Sequence, residues 1–191
     1  MLTFEKEFSR RGYPVLSIEL RGRGASMQGM SYDSPEVFDV RENLLDSPYE
    51  LDTMAAIEFL ATQRGIDPEK IALVGEARGS RSTLIAAASD ERVKSLILIS
   101  AYDPDDTMIQ AAKMLKIPVM LIDTETNLAT PGTLQIHELL ERGQLMIYPR
   151  LGHSHHIPYF HPEMPAFMGD YLERMLPPGE PAYQYVEKPF Q

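Results

Sequence analysis

Four short apolar runs restrict the fold more than any other feature: Ile71–Val74, Ser95–Ser100, Ile117–Ile122 and Gln144–Tyr148. Their apolar centres are continuous rather than alternating, the pattern of strands covered on both faces. Between and around them lie segments of helical character. In Glu50–Gln63, Leu51, Met54, Ile57 and Leu60 recur at helical spacing, and Arg78–Ser89, Thr107–Leu115, Thr133–Glu141 and Pro162–Leu176 also read as helices. Upstream, Phe4 and Phe8 mark a short helix that Gly12 ends, and Pro14–Leu20 reads as one more strand. Strands alternating with helices specify an α/β fold with a mostly parallel sheet of about five strands and helices on both faces. Residues 1–176 are expected to form this one domain. Residues 177–191 are a Pro- and aromatic-rich tail that either packs in extended form or hangs free.

In such sheets ligands meet the carboxyl ends of the strands, and three ends stand out. After Ile71–Val74 comes "GEARG", Gly75 to Gly79, which has the glycine frame of the G-x-S-x-G nucleophile elbow with Ala77 where the serine belongs. The frame serves a strand that turns sharply into a helix, where side chains crowd. The backbone N–H of Arg78 would face an oxyanion at the helix N-terminus. The plainer alternative is a strand–turn–helix junction that favours glycine. After Ile117–Ile122 comes "DTETNLATPG", and after Gln144–Tyr148 comes "PRLGHSHH". A histidine there, His153 behind Gly152, is placed to act as a general base over the sheet end.

Composition narrows the partners. The 191 residues carry a net charge of −10, which disfavours nucleic acid and anionic membrane. No run is long enough to span a bilayer. There is no cysteine, hence no disulfide, thiolate zinc site or cysteine nucleophile. With a mixed-charge N-terminus unlike a signal peptide, this weakly favours the cytoplasm. No cofactor is indicated. His153, His155, His156 and His161 form a histidine-rich stretch without obvious carboxylate or thiolate companions, so no metal site is assigned.

Taken together, "GYPVLSIELRGRGAS", "DPEKIALVGEARG", "IPVMLIDTETNLATP" and "LMIYPRLGHSH" resemble the α/β-hydrolase superfamily, of the esterase and peptidase kind, over about Phe4 to Leu176. The resemblance puts Ala77 at the nucleophile position, Asn127 at the acid position and His153 at the base position. Asp123, Glu125 and Asp103 are alternative carboxylates. Asparagine stabilises an imidazolium less well than a carboxylate and is able to hold the wrong tautomer. Alanine offers no attacking atom.

The resemblance also implies an early strand, between those at Val15 and Ile71, and a loop that supplies a second oxyanion donor. Neither is visible in the sequence. Either the sheet closes over the gap or another chain, a second copy or a different protein, covers the exposed edge. Ser80 and Ser82 are poor substitute nucleophiles, since they fall on the helix after the turn. Ser26 and Ser100 read as structural hydroxyls. Arg21 and Arg23 are expected to pair with carboxylates, and Glu76 and Arg78 flank Ala77 at the old pocket.

Three readings follow. The chain is a hydrolase relative that is inactive as written and binds a small molecule or a partner; or a serine hydrolase with an engineered alanine at position 77; or a structural subunit. Three separate losses favour the first.

Overall fold

A computed structural model describes residues 3–21, 48–150 and 152–179. Residues 22–47, with Arg23 and Ser26, and most of the tail, residues 180–191, lie outside the described residues. The chain runs α1 (Thr3–Arg10), α2 (Glu50–Ala61), β1 (Ile71–Glu76), α3 (Arg78–Ser89), β2 (Val93–Ile99), α4 (Asp106–Met114), β3 (Val119–Thr124), α5 (Thr130–Leu139), β4 (Gly143–Tyr148), a 3₁₀ turn at Ser154–His156, α6 (Ile157–Phe160) and α7 (Met164–Met175). The four strands form one parallel sheet in the order β1-β2-β3-β4. Each strand follows its neighbour through a helix, as parallel pairing requires.

The period of two along the strands divides the core. Leu96, Leu98, Val119 and Leu121 join Ile57, Leu84, Met108 and Ile136. The intervening Ile97, Ile99, Met120 and Ile122 join Phe4, Phe8, Met168 and Leu172. Helices α2 to α5 therefore cover one face and α1 and α7 the other. This is why β2 and β3 read as unbroken apolar runs.

The sheet has four strands among the described residues, not five. Residues 13–20 adopt no regular secondary structure. Val15, Leu16 and Ile18 are 39%, 38% and 41% exposed, so the segment has the composition of a strand but no ladder. A strand needs a neighbour for its N–H and C=O groups, and β1 pairs only with β2 among the described residues. The segment is held at its ends instead. Ser17 Oγ donates to Glu5, and the Arg21 guanidinium pairs with Asp52 at 2.6 Å. Among the described residues no strand pairs along the free edge of β1. Helix α5 begins three residues earlier than the sequence suggests, because Pro131 sits in its first turn, where the missing N–H costs nothing.

Candidate functional site

The elbow is built by backbone strain. Ala77 has φ 49° and ψ −117°, a region that residues with a Cβ seldom occupy. Its N–H donates to Ile99 O at 2.9 Å, carrying the β1–β2 ladder one residue past the strand. Arg78 then opens α3, so its N–H is among the first helical donors with no acceptor in the helix.

The two glycines of the frame are not equivalent. A Cβ on Gly75 would lie 2.0 Å from Thr83 Oγ1 and 2.6 Å from Gly79 O. A Cβ on Gly79 would meet nothing within 4 Å. Only Gly75 is forced by space, contrary to the sequence expectation that both are. Ser80 and Ser82 are buried and serve the helix start. Ser80 Oγ donates to Gly75 O at 3.1 Å, and Ser82 Oγ donates to Gly79 O at 3.1 Å.

The ends of β3 and β4 bring Asn127 and His153 together. His153 Nδ1 lies 3.2 Å from Asn127 Oδ1. None of the three alternative carboxylates is hydrogen-bonded to His153. Glu125 Oε2 accepts the Arg150 N–H at 3.4 Å. Asp103 is exposed, in a bend with φ 39°. Asp123 is fully buried and acts one step behind Asn127. Its Oδ1 accepts from the Thr124 N–H at 2.9 Å and from Asn127 Nδ2 at 2.6 Å. Its Oδ2 accepts from Thr133 Oγ1 at 2.6 Å.

Two hydroxyls, Ser100 and Ser154, tie these ends to the elbow. Ser100 Oγ accepts from Asn127 Nδ2 at 2.9 Å and from the Ser154 N–H at 3.0 Å. It donates to Asp123 Oδ1 at 3.3 Å. Ser154 Oγ donates to Glu76 Oε2 at 2.8 Å. Glu76 precedes Ala77 and Ser154 follows His153, so this bond links the surroundings of Ala77 and His153. Ser100 and Ser154 both have positive φ, 54° and 53°. Gly152, at φ 151°, lets the loop pass close to Thr124 and Ile157, each 3.2 Å from where a Cβ would sit. Sequence reasoning missed Ser154 and Thr133 and gave Ser100 no site role. The one available signal was a serine beside the histidine of a glycine-led loop.

Beside His153 lies a cavity of about 530 Å³, open to solvent, lined by Asn127, Leu128, His153, His156, Tyr159 and Phe160 among others. Leu128, Tyr159 and Phe160 are 88%, 78% and 62% exposed, an apolar rim around a few polar groups. Of the other histidines, the His155 and His156 rings lie 4.0 Å apart, tilted by 44°, and His161 lies between Pro149 O, 2.9 Å from Nε2, and Glu163 Oε1, 3.4 Å from Nδ1. Among the described residues no group of three or more His, Asp or Glu side chains is gathered as a metal would need, and no helix is long and apolar enough to cross a membrane.

The sequence profile of the alpha/beta hydrolase fold family matches residues 4–131. No curated protein matches the sequence. Among solved structures, the chain is similar to a dienelactone hydrolase from Anabaena variabilis, with TM-score 0.62 and 21% identity over 74% of this chain and 67% of that one. It is similar to a cold-adapted esterase from an Arctic intertidal metagenomic library, with TM-score 0.55 and 23% identity over 65% of this chain and 57% of the esterase. It also resembles an acylaminoacyl peptidase from Pyrococcus horikoshii, with TM-score 0.57 and 20% identity over 71% of this chain but only 29% of the peptidase. At these identities the likeness is one of fold.

Proposed function

Because this chain belongs to the α/β-hydrolase fold family, we propose that it is a member in which acyl transfer has lapsed at Ala77, and that the cavity beside His153 binds a small, largely apolar molecule. One observation carries the reading. The strained elbow is present at Ala77, with φ 49° and ψ −117°, yet its side chain has no atom able to attack a carbonyl. The remaining parts have defined tasks. The Arg78 N–H, at the start of α3, stabilises negative charge on a bound carbonyl oxygen. The His153 ring accepts a proton or hydrogen bond from a ligand. Leu128, Tyr159 and Phe160 supply apolar contact.

A paired assay tests this. The protein as given and Ala77→Ser are incubated with short p-nitrophenyl esters and a fluorophosphonate probe. The unaltered protein is expected to show neither turnover nor labelling, and Ala77→Ser to show labelling. Turnover with covalent labelling of the unaltered protein overturns the reading. Codon comparison at position 77 separates a natural alanine from an engineered one.

A second reading, an interaction subunit, is favoured by exposed apolar side chains: Val15, Leu16 and Ile18, with Leu51, Met54 and Phe59 of α2. In this reading a strand from another copy pairs along β1, giving apolar side chains and backbone groups their partners. Light scattering at micromolar concentration that returns only a monomer removes it.

A further inference from the structure

An asparagine beside a histidine has two ways to present its amide, and each selects a different imidazole tautomer. The surroundings of Asn127 leave one. Its Nδ2 group has two hydrogens, and both are used, toward Asp123 Oδ1 at 2.6 Å and Ser100 Oγ at 2.9 Å. Asp123 Oδ1 already accepts the Thr124 backbone N–H, which cannot be anything but a donor. The same oxygen is therefore an acceptor toward Asn127. Ser100 Oγ has one hydrogen, spent on Asp123, and its other contacts, with Asn127 Nδ2 and the Ser154 N–H, are accepted. Turning the amide over would set Asn127 Oδ1 against a carboxylate oxygen and strand both partners. Asn127 Oδ1 must consequently face His153, and the nitrogen it faces, Nδ1 at 3.2 Å, must carry the hydrogen.

We propose that Asp123 is a positioning residue which, acting through the amide of Asn127, holds His153 with Nδ1 protonated and Nε2 bare. Asp123 is fully buried and makes no hydrogen bond to His153 itself. The asparagine at the acid position thus preserves the tautomer a proton acceptor needs, rather than the wrong one. Only charge at the acid position is lost. The inference concerns the same site as the ligand reading but rests on the hydrogen-bond network and not on that reading.

Long-range ¹⁵N–¹H correlation spectra of the labelled protein at about pH 8, above the usual imidazole range, read both tautomers directly. The expected result is Nδ1–H over Nε2–H by about tenfold or more at His153. In Asn127→Leu the His153 preference is lost, and in Asp123→Ala it falls toward that of an unrestrained imidazole, whereas Asp123→Asn, which keeps an acceptor oxygen, retains it. Should Asp123→Ala not fold, exchange of the Asn127 side-chain amide hydrogens in the unaltered protein provides the second readout, expected to be slowed at least tenfold relative to an exposed amide. A His153 hydrogen on Nε2 in the unaltered protein, the same preference after Asn127→Leu, or rapid exchange of the Asn127 amide would each overturn the proposal.

Discussion

The hydroxyl of Ser154 donates to Glu76 Oε2 across 2.8 Å, and this bond joins the 3₁₀ turn after His153 to the end of β1. Ser154 is buried and sits at φ 53°, so its position is imposed by partners rather than by local preference. Removing the hydroxyl leaves a partly buried carboxylate with one donor fewer. Ser154→Ala is expected to lower stability by about 1–3 kcal/mol, seen as a lower denaturant midpoint at unchanged slope.

Ala77 holds its backbone angles against its own Cβ. Glycine occupies that region without the same clash. Ala77→Gly is therefore expected to stabilise the fold by about 1 kcal/mol, the relief of strain exceeding the extra entropy lost by glycine. Chemical denaturation of the pair measures it, and destabilisation would show that the elbow is less strained than its φ of 49° implies.

The glycine frame makes a paired prediction. In Gly75→Ala the new methyl meets Thr83 Oγ1 and Gly79 O inside contact distance, so a loss of at least about 3 kcal/mol, or failure to fold, is expected. Gly79→Ala enters open space in the first turn of α3 and should gain about 0.5–1 kcal/mol from helix propensity. Thermal melts of the two variants should move in opposite directions.

Acid stability has an identifiable contributor in α1. The guanidinium of Arg10, then that of Arg11, hydrogen-bonds Glu7 and holds its carboxyl at about 2, against an ordinary 4.5. A carboxyl whose folded value is depressed adds stability above its unfolded value, and that stability is lost as pH falls toward the folded one. The difference between the protein and Glu7→Gln should be full above about pH 4.5 and gone near pH 2. Arg11 also pairs with Asp170 and Glu173 of α7, so denaturation followed across pH reads the docking of α1 onto α7. Since part of the pair is exposed, added salt should shrink the effect.

The layered sheet was legible because β2 and β3 are covered on both faces, which writes the fold into the sequence as unbroken apolar runs. Ala77, Asn127 and His153 stand out in the sequence because each follows a strand end in chain order. Pro14–Leu20 misled for a definite reason: apolar composition reports what a segment would bury, but a strand also needs a neighbour, and neighbours are not local. The same limit hid Ser154–Glu76 and Thr133–Asp123. These bonds join separate elements, 78 and 10 residues apart in the chain, through short hydroxyls that carry no periodic signal. The role of Gly79 was overestimated since a motif shows which residues recur, not which of them space compels.

The strain at Ala77 has a consequence for how far this chain stands from chemistry. The backbone there is shaped by Gly75, Thr83 and the β1–β2 ladder, none of which involves the side chain at position 77. What separates this elbow from a nucleophile-bearing one is a single oxygen atom, while the slower work of bending the chain is still being done. A hydroxyl at this turn therefore asks for one substitution rather than a rebuilt backbone.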